Sequence, residues 1–152
     1  AWALAALVAA AFSASASTGM SERIARESMG PIGTPVIAVG HRGTKRFAPE
    51  NTLAAFDKAI EMGARIVEMD VRMTADGHFI VMHDARVERT TDGRGAVSTM
   101  TLAEIKALDA GSWFAPEFAG ERVPTLKEAL AHVKGRAGVD IDFKAGPEDS
   151  AA

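Results

Sequence analysis

Glu68 and Asp70 are the first residues in this sequence whose types and spacing bear on chemistry. They stand two positions apart in Arg65-Ile66-Val67-Glu68-Met69-Asp70-Val71. On an extended strand, residues at that spacing share a face. Val67, Met69 and Val71 then take the opposite face and are expected to pack under helices. Two carboxylates side by side repel, and burying them uncompensated is costly. A hard divalent cation removes that cost, because Mg2+ and Ca2+ both prefer carboxylate oxygens. Read alone, a water-facing strand edge or a pair of salt-bridged acids explains the two residues equally well.

Other polar side chains interrupt apolar runs in the same manner. His41 follows Val36-Ile37-Ala38-Val39-Gly40, and His83 follows Phe79-Ile80-Val81-Met82. Each histidine is expected at the end of a strand. Imidazole titrates near neutral pH, so two such groups can serve as general base and general acid. Asp142 lies in the run Val139-Asp140-Ile141-Asp142-Phe143, with Lys144 two residues on. A third carboxylate can complete a cation site, while an ammonium and the guanidinium of Arg42 can hold phosphate oxygens. Together these types suit hydrolysis of a phosphate ester. His78 and His132 are expected on the surface, Asp84 as a cap or orienter of its loop, and Trp113, Phe114 and Phe118 as a small satellite core.

The elements that must position these groups alternate. Asn51-Thr52 offers an N-cap for a helix with Leu53, Phe56 and Ile60 at helical spacing, and Gly63 closes it. Ala75-Asp76-Gly77 makes a turn between two strands. A helix over Thr101–Leu108 has Thr101 and Glu104 as a capping box, and a second amphipathic helix spans Leu126–Val133. Helices between apolar strands predict an α/β fold with a mainly parallel sheet, its buried strands starting at Val36.

Composition sets the bounds. The 152 residues are 47% hydrophobic and 24% charged, with a formal net charge of −3, so neither nucleic acid nor an anionic membrane is an expected partner. There is no cysteine, which removes thiolate catalysis and zinc–sulfur sites. Ala1–Phe12 is an almost unbroken apolar run followed by Ala14-Ser15-Ala16, a small-x-small pattern. Residues 1–17 are read as a signal peptide lacking its basic start, and residues 18–35 as a linker, giving a secreted or periplasmic expectation. A cut-down membrane anchor, or a true start at Met20, is the competing explanation. The run is shorter than the roughly 20 residues a stable membrane span needs.

His41-Arg42-Gly43 followed by Pro49-Glu50-Asn51-Thr52 resembles the opening signature of the glycerophosphodiester phosphodiesterase family. The likeness continues through Glu68-Met69-Asp70-Val71, Thr74-Ala75-Asp76-Gly77, His83-Asp84 and Arg89-Thr90-Thr91-Asp92-Gly93. It extends through Leu108–Phe114 and Pro124-Thr125-Leu126, covering roughly residues 36–144. The resemblance implies a TIM (β/α)8 barrel that cleaves small glycerophosphodiesters to glycerol 3-phosphate and an alcohol. It implies His41 and His83 as the acid–base pair and Arg42 and Lys144 as phosphate holders. Glu68, Asp70 and Asp142 would hold one divalent metal ion, Ca2+ or Mg2+. In the family the third carboxylate is usually a glutamate, so Asp142 is one methylene shorter. Residues 86–124 would form a small insertion.

A (β/α)8 barrel typically needs about 250 residues. About four strands are expected here, in the N-terminal part of such a barrel over residues 36–152, with an open strand edge prone to association. Two other readings stand beside the hydrolase: a phospholipase D-like enzyme acting on lysolipids, and an inactive secreted binding fragment. The oligomeric state does not follow from the sequence.

Overall fold

The computed structural model describes residues 36–144. The leader and linker readings at 1–35 lie outside the described residues. Four strands form one sheet: β1 (Val39–Gly40), β2 (Ile66–Met73), β3 (Phe79–Val81) and β4 (Gly138–Phe143). Three helices accompany them: α1 (Leu53–Glu61), α2 (Leu102–Ala107) and α3 (Leu126–Val133). β2 is the centre. β1 and β4 pair with it in parallel, and β3 pairs with it antiparallel.

Carbonyl directions divide the neighbours of β2 between its two edges. The oxygens of Glu68 and Asp70 accept from the backbone N–H groups of Gly43 and Met82, while those of Arg65 and Val71 accept from Gly138 and Lys144. Successive carbonyls along a strand point to opposite edges. The segments that follow β1 and β3 therefore share one edge, and β4 lies along the other.

The predicted elements are present, with two corrections. The expected strand at Val36–Val39 is confined to Val39–Gly40, and Val39 is half-exposed rather than buried. Its ladder to β2 has two registered pairs, because the chain leaves the sheet at once for the turn at His41–Gly43. The second concerns the mainly parallel sheet, in which the strand that leads to His83 runs antiparallel to β2. The Thr74–His78 turn is too short for a parallel crossover, so the chain doubles back in a hairpin with Gly77 at φ 81°.

The faces of β2 and β3 explain the packing. Val67 and Met69 join Phe56, Ala59, Val81, Ala129 and Val133 in a core between sheet, α1 and α3. Ile80 and Met82, on the other face of the hairpin, pack with Val87, Val97, Ile105, Ala110 and Val123 in a second core. The period-two alternation of β3 thus ties residues 87–123 to the sheet. Thr52 caps α1 by accepting from Ala55 N–H, and Gly63, at φ 92°, follows its end. Thr101 with Glu104 and Thr125 with Glu128 form capping boxes on α2 and α3.

The loop after β1 is held hard against α1. Gly43 has φ 76°, and a Cβ there would stand 2.7 Å from the Ala55 carbonyl carbon and 2.8 Å from its oxygen. Both are backbone atoms of a buried helix and have little room to yield. Gly43→Ala is accordingly expected to destabilise the protein by about 1–3 kcal/mol. Urea unfolding midpoints measure this, and an unchanged midpoint would show that the contact relaxes freely.

Candidate functional site

The hydrogen-bonded edge of β2 gathers the polar residues. Glu68 and Asp70 are both buried, on the face opposite Val67 and Met69, and register across the parallel ladder with Asp140 and Asp142 of β4. Carboxylate oxygens of Glu68, Asp70 and Asp142 lie within 4.8 Å of one another. Three converging hard oxygen donors are what a divalent cation of the Mg2+ or Ca2+ type requires, so the residues present fit such an ion.

Each buried carboxylate has its own partners. Arg42 stands at φ 54°, a conformation unusual for a side-chain-bearing residue, and this turn aims its backbone N–H at Glu68 Oε2, 2.6 Å away. Its guanidinium turns back over the site, with Nη1 donating to Glu50 Oε1 at 3.0 Å. Arg42 Nε stands 3.4 Å from Asp70 Oδ2 and is buried without a hydrogen bond. Asn51, also left-handed at φ 60°, donates from Nδ2 to Asp70 Oδ2 at 2.8 Å and accepts from the Asp70 backbone N–H. Asparagine tolerates that backbone better than most residues.

Lys144 Nζ lies 3.1 Å from Asp70 Oδ1 and donates to Asp142 Oδ2 at 2.5 Å. The ammonium beside Asp142 holds that carboxyl below its usual range, and Asp142, with Asp70, raises Lys144 in return. His41 is largely exposed, with Nε2 3.9 Å from Glu68 Oε2. His83 Nδ1 lies 2.6 Å from Asp84 Oδ1. All seven residues singled out in the sequence are therefore carried on β2, on β4 or on the segments that flank β2.

Four residues, Glu50, Arg89, Asp84 and Asn51, take parts that the spacing of the sequence does not assign. Glu50 is buried and receives two arginines, Arg42 and Arg89; Arg89 binds it through Nη1 at 3.0 Å and Nη2 at 2.7 Å. Burial alone raises the Glu50 carboxyl, but Arg89 and then Arg42 more than offset this, leaving it below its usual range. Asp84 orients His83 as well as its loop, and it accepts two hydrogen bonds from Arg89. Asn51 was read as half of a helix cap, whereas Thr52 is the cap and Asn51 serves Asp70. The sequence signal for Glu50 and Arg89 was membership of the matching motifs alone; nothing in their spacing pairs residues 39 positions apart.

Outside the site, His132 Nε2 bonds Asp57 Oδ1 at 2.8 Å, and His78 is exposed beside Asp76. Trp113, Phe114 and Phe118 form a run of edge-to-face contacts, while the aliphatic residues above make the second core.

Residues 41–152 match the profile of the Glycerophosphoryl diester phosphodiesterase family. A glycerophosphodiester phosphodiesterase of Caldanaerobacter subterraneus subsp. tengcongensis is 49% identical over 111 residues, which are 72% of this chain and 46% of the relative. The crystal structure of glycerophosphodiester phosphodiesterase from Agrobacterium tumefaciens superposes with a TM-score of 0.69 at 51% identity, covering 70% of this chain and 46% of that one. A phosphodiesterase of Oleispira antarctica, solved in complex with the product sn-glycerol-3-phosphate, gives a TM-score of 0.69 at 41% identity. That match covers 71% of this chain and 44% of the other. The chain spans less than half the length of these relatives. The fold is that of part of a TIM barrel wall.

The charge network has a pH signature. Arg89 beside Asp84 is the chief cause of a carboxyl lowered from 3.8 to about 2, with burial opposing and His83 assisting. A carboxylate lowered in the folded state adds stability that is complete above its unfolded value and lost as pH falls through the folded one. Asp84 therefore contributes fully above about pH 4 and loses its contribution between there and about pH 2. Asp84→Asn should flatten the fall of Tm over that interval; an equally steep acid limb in the variant would refute the assignment.

Proposed function

Since the chain belongs to the glycerophosphoryl diester phosphodiesterase family, we propose that the whole protein hydrolyses glycerophosphodiesters to glycerol 3-phosphate and an alcohol. The observation that carries the proposal is the convergence of Glu68, Asp70 and Asp142 beside the His41 imidazole and two cations. The complex of the Oleispira antarctica relative with sn-glycerol-3-phosphate supports the same substrate class.

In this reading Glu68, Asp70 and Asp142 hold one divalent cation, Ca2+ or Mg2+. When bound, that ion neutralises phosphodiester oxygens as a Lewis acid. Arg42 and Lys144 bind the phosphate. The guanidinium of Arg42 brings a planar fork of donors to the site, the geometry that suits phosphate oxygens. Lys144 Nζ neutralises Asp70 and Asp142 in this state, and a bound phosphodiester gives the ammonium a further acceptor. His41 and His83 share the proton traffic, one taking a proton from the nucleophile and the other giving one to the departing alkoxide. Asp84 occupies the Nδ1 side of His83, so Nε2 is its exchanging nitrogen. The apolar run at residues 1–12 supports export of the protein from the cytoplasm.

Release of glycerol 3-phosphate from glycerophosphocholine tests the proposal. Turnover is expected with Ca2+ or Mg2+ and is expected to vanish with EDTA. His41→Ala and His83→Ala should each lower kcat by about 10²–10⁴-fold. Asp70→Asn should abolish the heat of cation binding in titration calorimetry. Undiminished turnover in EDTA, or near-normal turnover in either alanine variant, would overturn the corresponding role. Faster choline release from lysophosphatidylcholine would move the substrate assignment to lysolipids.

A further inference from the structure

The acid–base reading gives no part to Arg89, although its guanidinium is held at both ends. On one side Nε and Nη2 bond the two oxygens of Asp84 at 2.5 and 2.9 Å. On the other, Nη1 and Nη2 bond the two oxygens of Glu50 at 3.0 and 2.7 Å. Two forks on one guanidinium fix its plane and both partners, as a point-charge ammonium cannot. Arg89 itself is half-exposed, and exposed ion pairs contribute little to stability. Its geometry thus points to orientation more than to holding the fold together.

The mounting is firm on both sides. The segment after β3 closes on itself: Val97 N–H donates to Ala85 O, Val87 N–H to Gly95 O, and Thr91 Oγ1 to Val87 O. Glu50 is buried and also receives Arg42 Nη1, so one carboxylate braces the arginine beside Asp70 and the arginine behind His83. Asp84, lowered to about 2 chiefly by Arg89, is ionised throughout the neutral range. An ionised carboxylate only accepts hydrogen bonds, so the 2.6 Å contact requires a proton on His83 Nδ1.

We propose that Arg89 is a positioning residue for His83: it clamps Asp84 against the Glu50 brace, so that Asp84 keeps the Nδ1–H tautomer and leaves Nε2 to exchange the proton with the reacting phosphodiester. The proposal rests on the acid–base reading of His83 given above. It couples the segment carrying Arg42 to the segment carrying His83 through Glu50.

The test compares wild type, Arg89→Ala, Arg89→Lys and Asp84→Asn, with and without His83→Ala, on glycerophosphocholine. Arg89→Ala is expected to lower kcat about a hundredfold, the scale of a misplaced reacting group, with KM within about threefold. Cation binding in calorimetry should not change. The ¹⁵N resonances of the His83 ring should pass from a fixed Nδ1–H form to a mixture of tautomers. Arg89→Lys should recover no more than about a tenth of wild-type kcat, since one ammonium cannot make both forks. In the His83→Ala background, Arg89→Ala should cost nothing further. Asp84→Asn, which keeps the side chain's size, should reproduce the loss and the tautomer mixture even if Arg89→Ala folds poorly. Normal turnover in Arg89→Ala or Asp84→Asn beside a crippled His83→Ala would overturn this proposal alone. So would an unchanged tautomer, or an added loss in the His83→Ala background, which marks Arg89 as a tether of its loop. Near-normal turnover in His83→Ala itself would instead remove the acid–base reading of His83.

Discussion

Two carboxylates buried on one face of a central strand are the constraint around which the rest of this structure is arranged. Glu68 and Asp70 repel each other and have left water, and an unpaired buried charge is among the costliest things a fold can hold. Their compensation comes from three residues on two separate segments of the sequence. Arg42 and Asn51 come from the segment between β1 and α1, and Lys144 from the residue after β4. Two of these three needs bring strained backbone: the only described side-chain-bearing residues at positive φ are Arg42 and Asn51, and both contact the pair. Strain of this kind persists only where the surroundings over-determine it.

The opposite face of the same strand is what makes this arrangement tolerable. Val67 and Met69 bury fully against α1 and α3, so β2 is anchored by apolar contact regardless of the state of its carboxylates. Parallel register then fixes the third acid. Asp70 pairs with Asp142, and the side chains of a parallel pair point the same way, so Asp142 has no choice of face. Glu50 repeats the theme away from the strand: a buried carboxylate lowered by two arginines, each of which serves a different part of the site.

Much of this was legible in the sequence, for physical reasons that can be named. The period-two placement of Glu68 and Asp70 among Val67, Met69 and Val71 is a local pattern, and local patterns survive folding. The capping box of Thr101 and Glu104 was readable because a cap involves residues three apart, and Thr125 with Glu128 repeats that spacing. The direction of β3 and the brevity of β1 were not read, since direction depends on the turn at Thr74–His78 and strand length on a turn with residues at positive φ. The pairing of Glu50 with Arg89, and of Asn51 with Asp70, depends on which segments the sheet lays on one edge of β2. That is a property of topology, and no spacing within the chain encodes it.

The hairpin has a consequence for the chemistry. Parallel strands deliver groups to the mouth of a barrel only from below, each at its own place in the wall. In the proposed reaction a proton donor and a proton acceptor would approach one phosphorus from different directions. His41 arrives at the end of β1, rising beside Glu68, and β3 brings His83 back antiparallel along the same edge, where Met82 N–H bonds Asp70 O. The two imidazoles are thus carried along one edge of β2 by segments of opposed chain direction. His83 lies just beyond β3, and its carbonyl accepts from Arg72 Nε of β2 at 2.7 Å. Its ring is held in turn by Asp84, which Arg89 bonds and Glu50 braces from behind.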